Sequence, residues 1–436
     1  MTVNKRDIGI DWLGEIPYNW SYCRFKDVVD LYVGNSIKDE DKDNYCDSFE
    51  ARHYVSSKDI DLTFNSINYD TGLYIKKDDV SFKIAPKFSI LMCIEGGSAG
   101  RKKAITLEDV CFVNKLCCFV PKNKNLNHEY LFYFLSSPNY EDYFFSQMTG
   151  MIGGVSISKL MNFNILLPPI DEQIRISKFL NKQINIINNA IKETLALIEN
   201  YKDYKQSLIS EVITTGLDNN IQMKDSNIDW IGEIPIDWSI IKAKFLFNQR
   251  NQKGNNIKLQ LLSSTQKFGV IPQDLYEELS DMVAVKVKED TDLSSFKCIH
   301  KNDYCISLRS FEGGFEYCEY EGVVSPAYSV FYPNVTISHD YYKYLFKEYG
   351  FIENMKSYCM SLRDGKNISF EDFGNTYLPY PPLQVQHEIS GYLNERCEII
   401  DSLIIEKEKL IDRLEEYKQS LIFEYVTGKK EVPNEI

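Results

Sequence analysis

The ten residues DWLGEIPYNW at 11–20 recur as DWIGEIPIDW at 229–238, with seven of the ten positions identical. A second motif, YKQSLI, occurs at 204–209 and again at 417–422. Two motifs that return in the same order indicate a tandem duplication of one structural unit. The fold of the whole chain therefore follows from the fold of one repeat.

Each repeat consists of a variable body and a tail, and the tail begins at a pair of prolines, LPPI at 167–170 and YPPL at 380–383. Strand-like apolar runs such as FSILMCI at 88–94 alternate with helical patterns in both bodies, which predicts an α/β or α+β fold. The predicted division is 1–168 for a first body, 169–216 for a first long helix, 217–381 for a second body with a short linker, 382–428 for a second long helix and 429–436 for a tail.

Both tails carry a seam of residues at alternating steps of three and four, the spacing of a coiled coil. Pro169 and Pro382 suit the first turn of a helix, and Gly216 and Gly428 suit its left-handed end. The predicted apolar seam residues are Ile184, Ile187, Ile191, Ile198, Tyr201, Leu208, Ile400, Ile404, Ile411, Leu414 and Leu421.

The two helices match in length and register, so the simplest partner for each seam is the other helix. An antiparallel coiled coil would separate the two bodies and relate the repeats by an approximate two-fold axis. The alternative is that each helix packs on its own body.

Composition restricts the class of protein further. The 436 residues have room for two or three domains, and 44% of them are hydrophobic, which is typical of globular chains. No apolar run approaches the length of a membrane helix, and the first residues lack the apolar core of a signal peptide. Eleven cysteines without a CxxC pair favour reduced thiols. We therefore expect a cytoplasmic protein without a membrane segment.

Motifs for catalysis are missing from the sequence. We find no P-loop, no GxGxxG after a strand, and no Asp/Asn-Pro-Pro-Tyr/Phe of the kind expected in an adenine methyltransferase. The segment CIHKNDYC at 298–305 fits no common zinc spacing. These observations predict a chain without catalytic residues, a metal site or a cofactor of its own.

Binding chemistry is better represented, because several loops contain side-chain types that hold phosphates or read base edges. Any one of these loops could equally be a solvated surface loop. The net charge of −14 also argues against phosphate binding by the chain alone. The candidate DNA-binding residues are Arg52, Lys58, Arg101, Lys102, Lys103, Lys122, Lys124, Arg250, Ser264, Thr265, Gln266, Lys267, Arg309, Arg363 and Lys366.

The order of these motifs resembles the specificity subunit of type I restriction-modification systems. The resemblance covers essentially the whole chain, from the repeated Asp-Trp-Leu/Ile-Gly-Glu-Ile-Pro-x-x-Trp to the YKQSLI of each tail. The chain departs from the family pattern at one place. The first tail begins PPIDEQ, whereas the second begins PPLQVQ and lacks the acidic residues.

The resemblance implies that each body is a target recognition domain for one half of an asymmetric bipartite sequence in double-stranded DNA. It implies that the paired helices act as a spacer and bind two methyltransferase subunits, through which restriction subunits join the complex. S-adenosylmethionine, ATP and Mg²⁺ would then be used by those partner subunits.

Two other classes of protein remain open on the residues alone. A coiled-coil scaffold with two protein-binding domains and no DNA recognition would explain the helices and the acidity equally well. A self-contained DNA-modifying enzyme is disfavoured by the missing motifs. If the chain does recognise DNA, its acidity predicts that partner subunits supply much of the cationic surface.

Overall fold

The structure is a computed structural model that describes residues 5–150, 153–218, 220–254, 259–280, 293–307, 314–360 and 368–433. The predicted candidates Arg309, Arg363 and Lys366 lie outside these residues. Within the described ranges, every helix is too short or too polar to cross a membrane.

The chain forms two compact units, and each contains one body and parts of both long helices. Unit 1 comprises Met1–Leu195 and Glu408–Ile436, and unit 2 comprises Ala196–Lys407. The first half of the first long helix therefore belongs with the second half of the other one. We describe each unit by itself.

Body one of unit 1 is a mixed α/β domain. Its strands are β1 (Lys5–Asp7), β2 (Glu15–Pro17), β3 (Ser21–Arg24), β4 (Val29–Val33), β5 (Ala51–Val55), β6 (Tyr74–Lys76), β7 (Ile84–Ala85), β8 (Ile90–Cys93), β9 (Lys103–Ile105), β10 (Val110–Phe112), β11 (Leu116–Pro121) and β12 (Asn164–Leu167). Its helices are α1 (Phe25–Val28), α2 (His128–Leu135), α3 (Pro138–Ser146) and α4 (Ile157–Leu160).

The first long helix and body two follow in the chain. The helix is α5 (Ile170–Thr215). The strands of body two are β13 (Met223–Asp225), β14 (Glu233–Pro235), β15 (Ser239–Lys242), β16 (Phe247–Arg250), β17 (Leu262–Thr265), β18 (Gly269–Pro272), β19 (Lys297–Ile299), β20 (Tyr304–Ile306), β21 (Phe315–Tyr317), β22 (Gly322–Val324), β23 (Ser329–Pro333) and β24 (Tyr377–Tyr380). Its helices are α6 (Ala243–Leu246), α7 (Gln273–Ser280), α8 (His339–Leu345), α9 (Tyr349–Met360) and α10 (Phe370–Asn375), and the second long helix is α11 (Leu383–Val426).

The two bodies share a central sheet, as the duplication predicts. The strand order is β4-β11-β8-β9 in body one and β16-β23-β20-β21 in body two, and neighbouring strands are antiparallel in both. The registers also agree, because Phe119 pairs with Ile90 in the first sheet and Phe331 pairs with Tyr304 in the second. The mixed α/β fold and the duplication are thus confirmed at the level of strand topology.

In unit 1 the two long helices are antiparallel, as predicted. Gln173, at the beginning of α5, accepts a hydrogen bond from the Asn127 amide at the beginning of α2. The hydroxyl of Tyr130, also on α2, donates to the carbonyl of Val426 at the end of α11. One short helix thus contacts the beginning of one long helix and the end of the other. The rings of Phe179 and Tyr425 lie 4.5 Å apart between them.

Unit 2 repeats this arrangement with the roles of the two long helices exchanged. Gln386, at the beginning of α11, accepts a hydrogen bond from the amide of Ser338, which caps α8. The Tyr341 hydroxyl on α8 donates to the carbonyl of Ile213 near the end of α5. Gln173 and Gln386 are both fully buried, so a buried glutamine is common to the two helix starts, whereas the acidic residues occur only in the first.

The seam residues lie in the cores of the two units. In unit 1, Ile184, Ile187, Ile191 and Leu421 are buried, and Ile411 and Leu414 are half-buried against the same core. In unit 2, Ile198, Leu208 and Ile400 are buried, and Tyr201 and Ile404 are half-buried. Each seam contacts the body as well as the other helix, so the two packing alternatives are both partly correct.

The repeated decapeptide packs against the end of a long helix in each unit. Gly428 has a φ of +67°, and a Cβ there would lie 2.5 Å from the Pro17 ring and 3.2 Å from the Trp20 ring. Gly216 has a φ of +79° and makes the equivalent approach to Trp238, at 3.2 Å. A glycine is required at these positions because the backbone is left-handed and the proline and tryptophan leave no room for a side chain.

Candidate nucleic-acid interface

Three of the predicted cationic side chains of body one come together around the EGGSAG turn at 95–100. The ammonium group of Lys102 donates to the carbonyl of Ser57, 3.0 Å away, which places the turn beside Lys58. Arg101 and Lys58 are exposed, and the Arg101 guanidinium lies 5.5 Å from the Phe145 ring. Lys58 is more than forty positions from Arg101 and Lys102 in sequence. We call the surface that carries Lys58, Arg101 and Lys102 the Lys58 surface.

The EGGSAG turn has a defined backbone. Gly96 and Gly100 have φ values of +88° and +76°, and the Gly96 amide donates to the carbonyl of Gly153 at 2.9 Å. A Cβ at Gly100 would lie 2.7 Å from the Phe144 ring. Gly100 therefore lets the backbone lie close against α3, and this packing fixes the position of the backbone at Arg101.

Three further candidates of body one lie on other parts of its surface. Arg52, on β5, donates to the carbonyl of Lys77, and Lys122 donates to the carbonyl of Lys26. Lys124 is exposed in the segment that leads to α2. Arg52, Lys122 and Lys102 each hold neighbouring segments of body one together, whereas Lys58 and Arg101 are exposed.

Lys103 is a wrong candidate, because its side chain is only 1% exposed. Its ammonium group donates to the carbonyl of Leu135 at 2.8 Å and to the carboxylate of Glu141 at 2.5 Å. Burial lowers the pKa of Lys103, and the Glu141 carboxylate opposes that shift. A cation enclosed in this way joins β9 to α3 and cannot reach a phosphate.

The candidates Ser264 to Lys267 of body two belong to the β17–β18 hairpin. The Thr265 hydroxyl donates to the carbonyl of Gly269 and accepts from the amide of Phe268, both at 3.0 Å, which closes the turn. Ser264 and Thr265 are half-buried, whereas Gln266 and Lys267 are exposed at the tip. Amide and ammonium groups at the tip of a two-stranded ribbon are suited to contacts with base edges.

Arg250 is already held by a partner within body two. Its guanidinium makes two hydrogen bonds to the buried Asp303 carboxylate, at 2.6 and 3.0 Å, and lies 4.5 Å from the Tyr332 ring. These hydrogen bonds raise the pKa of Arg250. The bidentate pair occupies the Nε–Nη2 edge of the guanidinium, and the side chain is 21% exposed, so its role as a DNA contact stays a prediction.

A cavity of about 740 Å³ lies within unit 2, between the β17–β18 hairpin and the long helices. Gln266 and Lys267 line one side of it, and Lys205 and Ile209 of α5 line the other. Glu316 of β21 also lines the cavity. Its side chain is only 3% exposed and pairs with Lys347 at 2.5 Å.

Glu316 makes the stability of unit 2 depend on pH. Burial raises the pKa of its carboxyl to about 7, and the Lys347 ammonium only partly opposes this shift. Because the folded pKa lies above the ordinary value of 4.5, the native state binds the proton more tightly than the unfolded state. This contribution to stability is present below about pH 4.5 and is lost as the pH rises through 7.

We therefore expect Glu316→Gln to stabilise unit 2 at pH 8 by about 2 kcal/mol and to flatten its pH dependence. Hydrogen exchange of unit 2 amides between pH 5 and pH 8, corrected for intrinsic rates, measures this effect. The matched control is Glu319→Gln, since the Glu319 side chain is 61% exposed and pairs with Lys343 at the surface. Equal pH profiles for the wild type and Glu316→Gln would contradict the assignment.

The long helices expose large apolar side chains at equivalent positions of the two repeats. Unit 2 exposes Leu197, Tyr204 and Ile399 at 44%, 59% and 47%, and unit 1 exposes Leu410, Tyr417 and Ile186 at 40%, 54% and 57%. We call these two sets helix face 2 and helix face 1. These residues lie outside the heptad seam, so the seam spacing did not predict them. One signal in the sequence could have revealed these residues: the matched positions of the two repeats are apolar in both although they lie outside the seam.

The chain is thus a duplicated protein of two bodies with one fold, and each body exposes cationic or amide side chains on its loops. The family model described as the type I restriction modification DNA specificity domain matches residues 17–200 and again 234–416. The chain belongs to this family of type I restriction-modification specificity subunits. The predicted family is thereby confirmed, and with it a role in DNA sequence specificity.

Individual relatives agree with this membership. The chain is 23% identical to a putative type I restriction enzyme MjaX specificity subunit of Methanocaldococcus jannaschii, over 96% of this chain and 95% of the relative. It is 27% identical to the type I restriction enzyme MjaVIII specificity subunit of the same organism, over 52% and 49% of the two chains.

One solved structure shows the same fold, and a second is reported for its similarity alone. One chain, from work on complex assembly and conformational transition of the type I R-M system, has a TM-score of 0.69 and 15% identity, covering 95% of this chain and 99% of that one. The HsdS subunit from Thermoanaerobacter tengcongensis matches with a TM-score of 0.46 and 16% identity, over 95% and 98% of the two chains.

Proposed function

We propose that this chain selects the DNA sequence for a type I restriction-modification complex, with each body reading one half of an asymmetric bipartite target. The observation that carries the proposal is one fold with two different sets of exposed loop residues. Body one presents the cationic Lys58 surface, whereas body two presents Gln266 and Lys267 at a hairpin tip. Different donors and acceptors read different base edges, so the two half-sites differ in sequence.

Helix faces 1 and 2 are the proposed docking sites for two methyltransferase subunits. Each face places a tyrosine of the YKQSLI motif, an isoleucine and a leucine in solvent. Aromatic and aliphatic side chains that stay exposed together are typical of protein interfaces. Two equivalent faces favour two copies of the same partner, and restriction subunits join through those partners.

The catalytic chemistry belongs to the partners in this proposal. The sequence of this chain lacks the motifs expected for adenine methylation and for nucleotide hydrolysis. We place the use of S-adenosylmethionine in the methyltransferase subunits and the use of ATP and Mg²⁺ in the restriction subunits. This chain then contributes recognition and assembly alone.

Charge supports the need for partners. The net charge is −14, and two of the predicted cations, Lys103 and Arg250, are held in ion pairs within the bodies. Phosphate contacts supply most of the non-specific affinity for DNA, so the isolated chain should bind DNA weakly. Methyltransferase subunits would complete the cationic surface.

Methylome sequencing of cells that express this chain with its methyltransferase partner tests the proposal. We expect one bipartite motif with two unlike halves. Lys58→Ala with Arg101→Ala should relax one half-site, and Gln266→Ala with Lys267→Ala should relax the other, by about tenfold or more in discrimination. Lys124→Ala is the surface control. Methylation without sequence preference would favour the scaffold alternative, and an equal loss at both half-sites in either variant would contradict the division into two readers.

A further inference from the structure

The segment 56–67 of body one forms a compact loop with its own hydrogen bonds. Ser56 and Asp59 bond to each other at its beginning, with the Ser56 amide donating to the Asp59 carboxylate at 2.7 Å. Ile60 is fully buried and bridges to Ile67, and the Asp61 amide donates to the carbonyl of Ser66 at 2.9 Å. These contacts make the segment one compact loop, with Thr63 near its tip.

The tip of this loop is attached to the second long helix within unit 1. The ammonium group of Lys418, on α11, donates to the Thr63 carbonyl at 2.8 Å, and Lys418 is only 4% exposed. The adjacent Phe64 is half-buried and packs against the core of unit 1. A buried cation thus attaches the tip to α11, and an apolar side chain beside it packs on the core.

The root of the loop is attached to the Lys58 surface. Lys102 donates to the Ser57 carbonyl at 3.0 Å, and Lys58 follows directly in a short 3₁₀ helix at Ser57–Asp59. The loop thus connects α11 at its tip to the proposed DNA-reading surface at its root. Tyr417, in helix face 1, is the neighbour of Lys418 in sequence.

The equivalent lysine of the other repeat has a different partner. Lys205 is the lysine of the first YKQSLI motif, and its ammonium group binds both carboxylate oxygens of Asp401 on α11 at 2.7 Å. The β17–β18 hairpin faces Lys205 across the cavity of unit 2, with Gln266 and Lys267 on the opposite side. The two repeats thus use the same motif lysine for a loop contact in one unit and for a helix-to-helix ion pair in the other.

We propose that Lys418 is a positioning residue for DNA recognition by body one. By holding the tip of the 56–67 loop on α11, it fixes the direction of the Lys58 surface, and it links that surface to helix face 1. The inference rests on the proposed function, because it assumes that body one reads a half-site. Body two has no equivalent dependence on Lys205.

The physical basis is the cost of ordering a loop. A loop that loses one of its attachments samples more positions, and these must be excluded when DNA binds. A hydrogen bond from an ammonium group, shielded from water, removes much of that freedom before binding. Loss of the bond should therefore reduce discrimination between bases more than it reduces the stability of the body.

The experiment compares Lys418→Met with Lys205→Met in the complex with the methyltransferase partner. Both variants remove the ammonium group and keep most of the side-chain volume, and both alter the same position of the motif. The readouts are methylation of a library of mutated half-sites and hydrogen exchange of amides 56–67. Replacing body one by that of another specificity subunit identifies which half-site body one reads.

We expect Lys418→Met to lower discrimination about tenfold at the body-one half-site only, and to raise exchange of amides 56–67 while amides of α2 keep their rates. Lys418→Arg should restore most of the discrimination, and Lys205→Met should leave both half-sites unchanged. Wild-type discrimination in Lys418→Met, or an equal loss at both half-sites, would overturn the inference while leaving the proposed function intact. A wild-type complex without sequence preference would instead remove the proposed function.

Discussion

The variant Tyr204→Glu is expected to bind one methyltransferase subunit per chain instead of two, and Tyr417→Glu is expected to do the same at the other site. The double variant should bind none. Tyr204 and Tyr417 are 59% and 54% exposed and occupy the same position of the repeated motif. A tyrosine so exposed on a long helix is a good candidate for an interface hot spot.

The expected size of this effect follows from desolvation. A glutamate at the centre of an apolar contact must lose water without gaining a partner, and loss of the aromatic ring removes buried area as well. A cost of about 3 kcal/mol corresponds to a loss of affinity of more than 100-fold at that site. Mass measurement of the assembled complex under native conditions counts the bound subunits directly.

The control places the same charge on the same helix but outside the proposed contact. Ala196 is exposed and lies next to Leu197, but one residue along a helix turns the side chain by about 100°. Ala196→Glu should therefore keep two partners. If Tyr204→Glu and Tyr417→Glu also keep two partners, the methyltransferase subunits dock elsewhere and helix faces 1 and 2 have another role.

The second large effect is expected from the buried ion pair of body one. Glu141→Ala would leave the ammonium group of Lys103 buried, with the Leu135 carbonyl as its remaining hydrogen-bond partner. Removing one member of a buried pair costs about 3–5 kcal/mol, because the other charge stays desolvated. We expect unit 1 to lose about 3 kcal/mol of stability, so that its most protected amides exchange about 100-fold faster.

Unit 2 serves as an internal control in this measurement, because the ion pair lies wholly within unit 1. Asp142→Ala is the matched variant, since Asp142 is the next carboxylate on α3 and is exposed. It should change stability by less than about 0.5 kcal/mol. Equal exchange rates in Glu141→Ala and Asp142→Ala would show that Lys103 finds another partner or loses its proton without cost.

Body two also contains an ion pair between a strand and a helical segment, but it occupies a different position. In body one, Lys103 lies on β9 and Glu141 on α3. In body two, Glu316 lies on β21 and Lys347 follows the end of α8. By strand register Phe315, and not Glu316, occupies the position of Lys103, so each body has its own ion pair.

Local patterns predicted the long helices because their signals repeat within a few residues. The three-and-four spacing, the prolines at the start and the glycines at the end all act within one or two turns. The prediction of an antiparallel pair also held, since equal length and register leave few other ways to cover both seams. Because the motifs recur, the structure predicted for one repeat could also be predicted for the other.

The same reasoning selected Lys103 and Arg250 as DNA contacts, but Lys103 is buried and Arg250 is already held in an ion pair within its body. A lysine after a glycine turn looks the same in sequence whether its side chain faces water or Glu141. Arg250 is paired with Asp303, more than fifty positions away in the chain. Exposure of a cation depends on such distant partners, and a local pattern does not contain them.

The sequence by itself determined the duplication, the two long helices, their direction and the family, because each depends on motifs or periodicity within a short stretch. Only the tertiary structure decided which parts meet. Pro17 and Trp20 of the first decapeptide pack on Gly428 at the end of the second repeat, and Pro235 and Trp238 of the second decapeptide pack on Gly216. A helix end must be covered by whatever segment the folded chain brings to it, and that choice is made by packing over hundreds of residues.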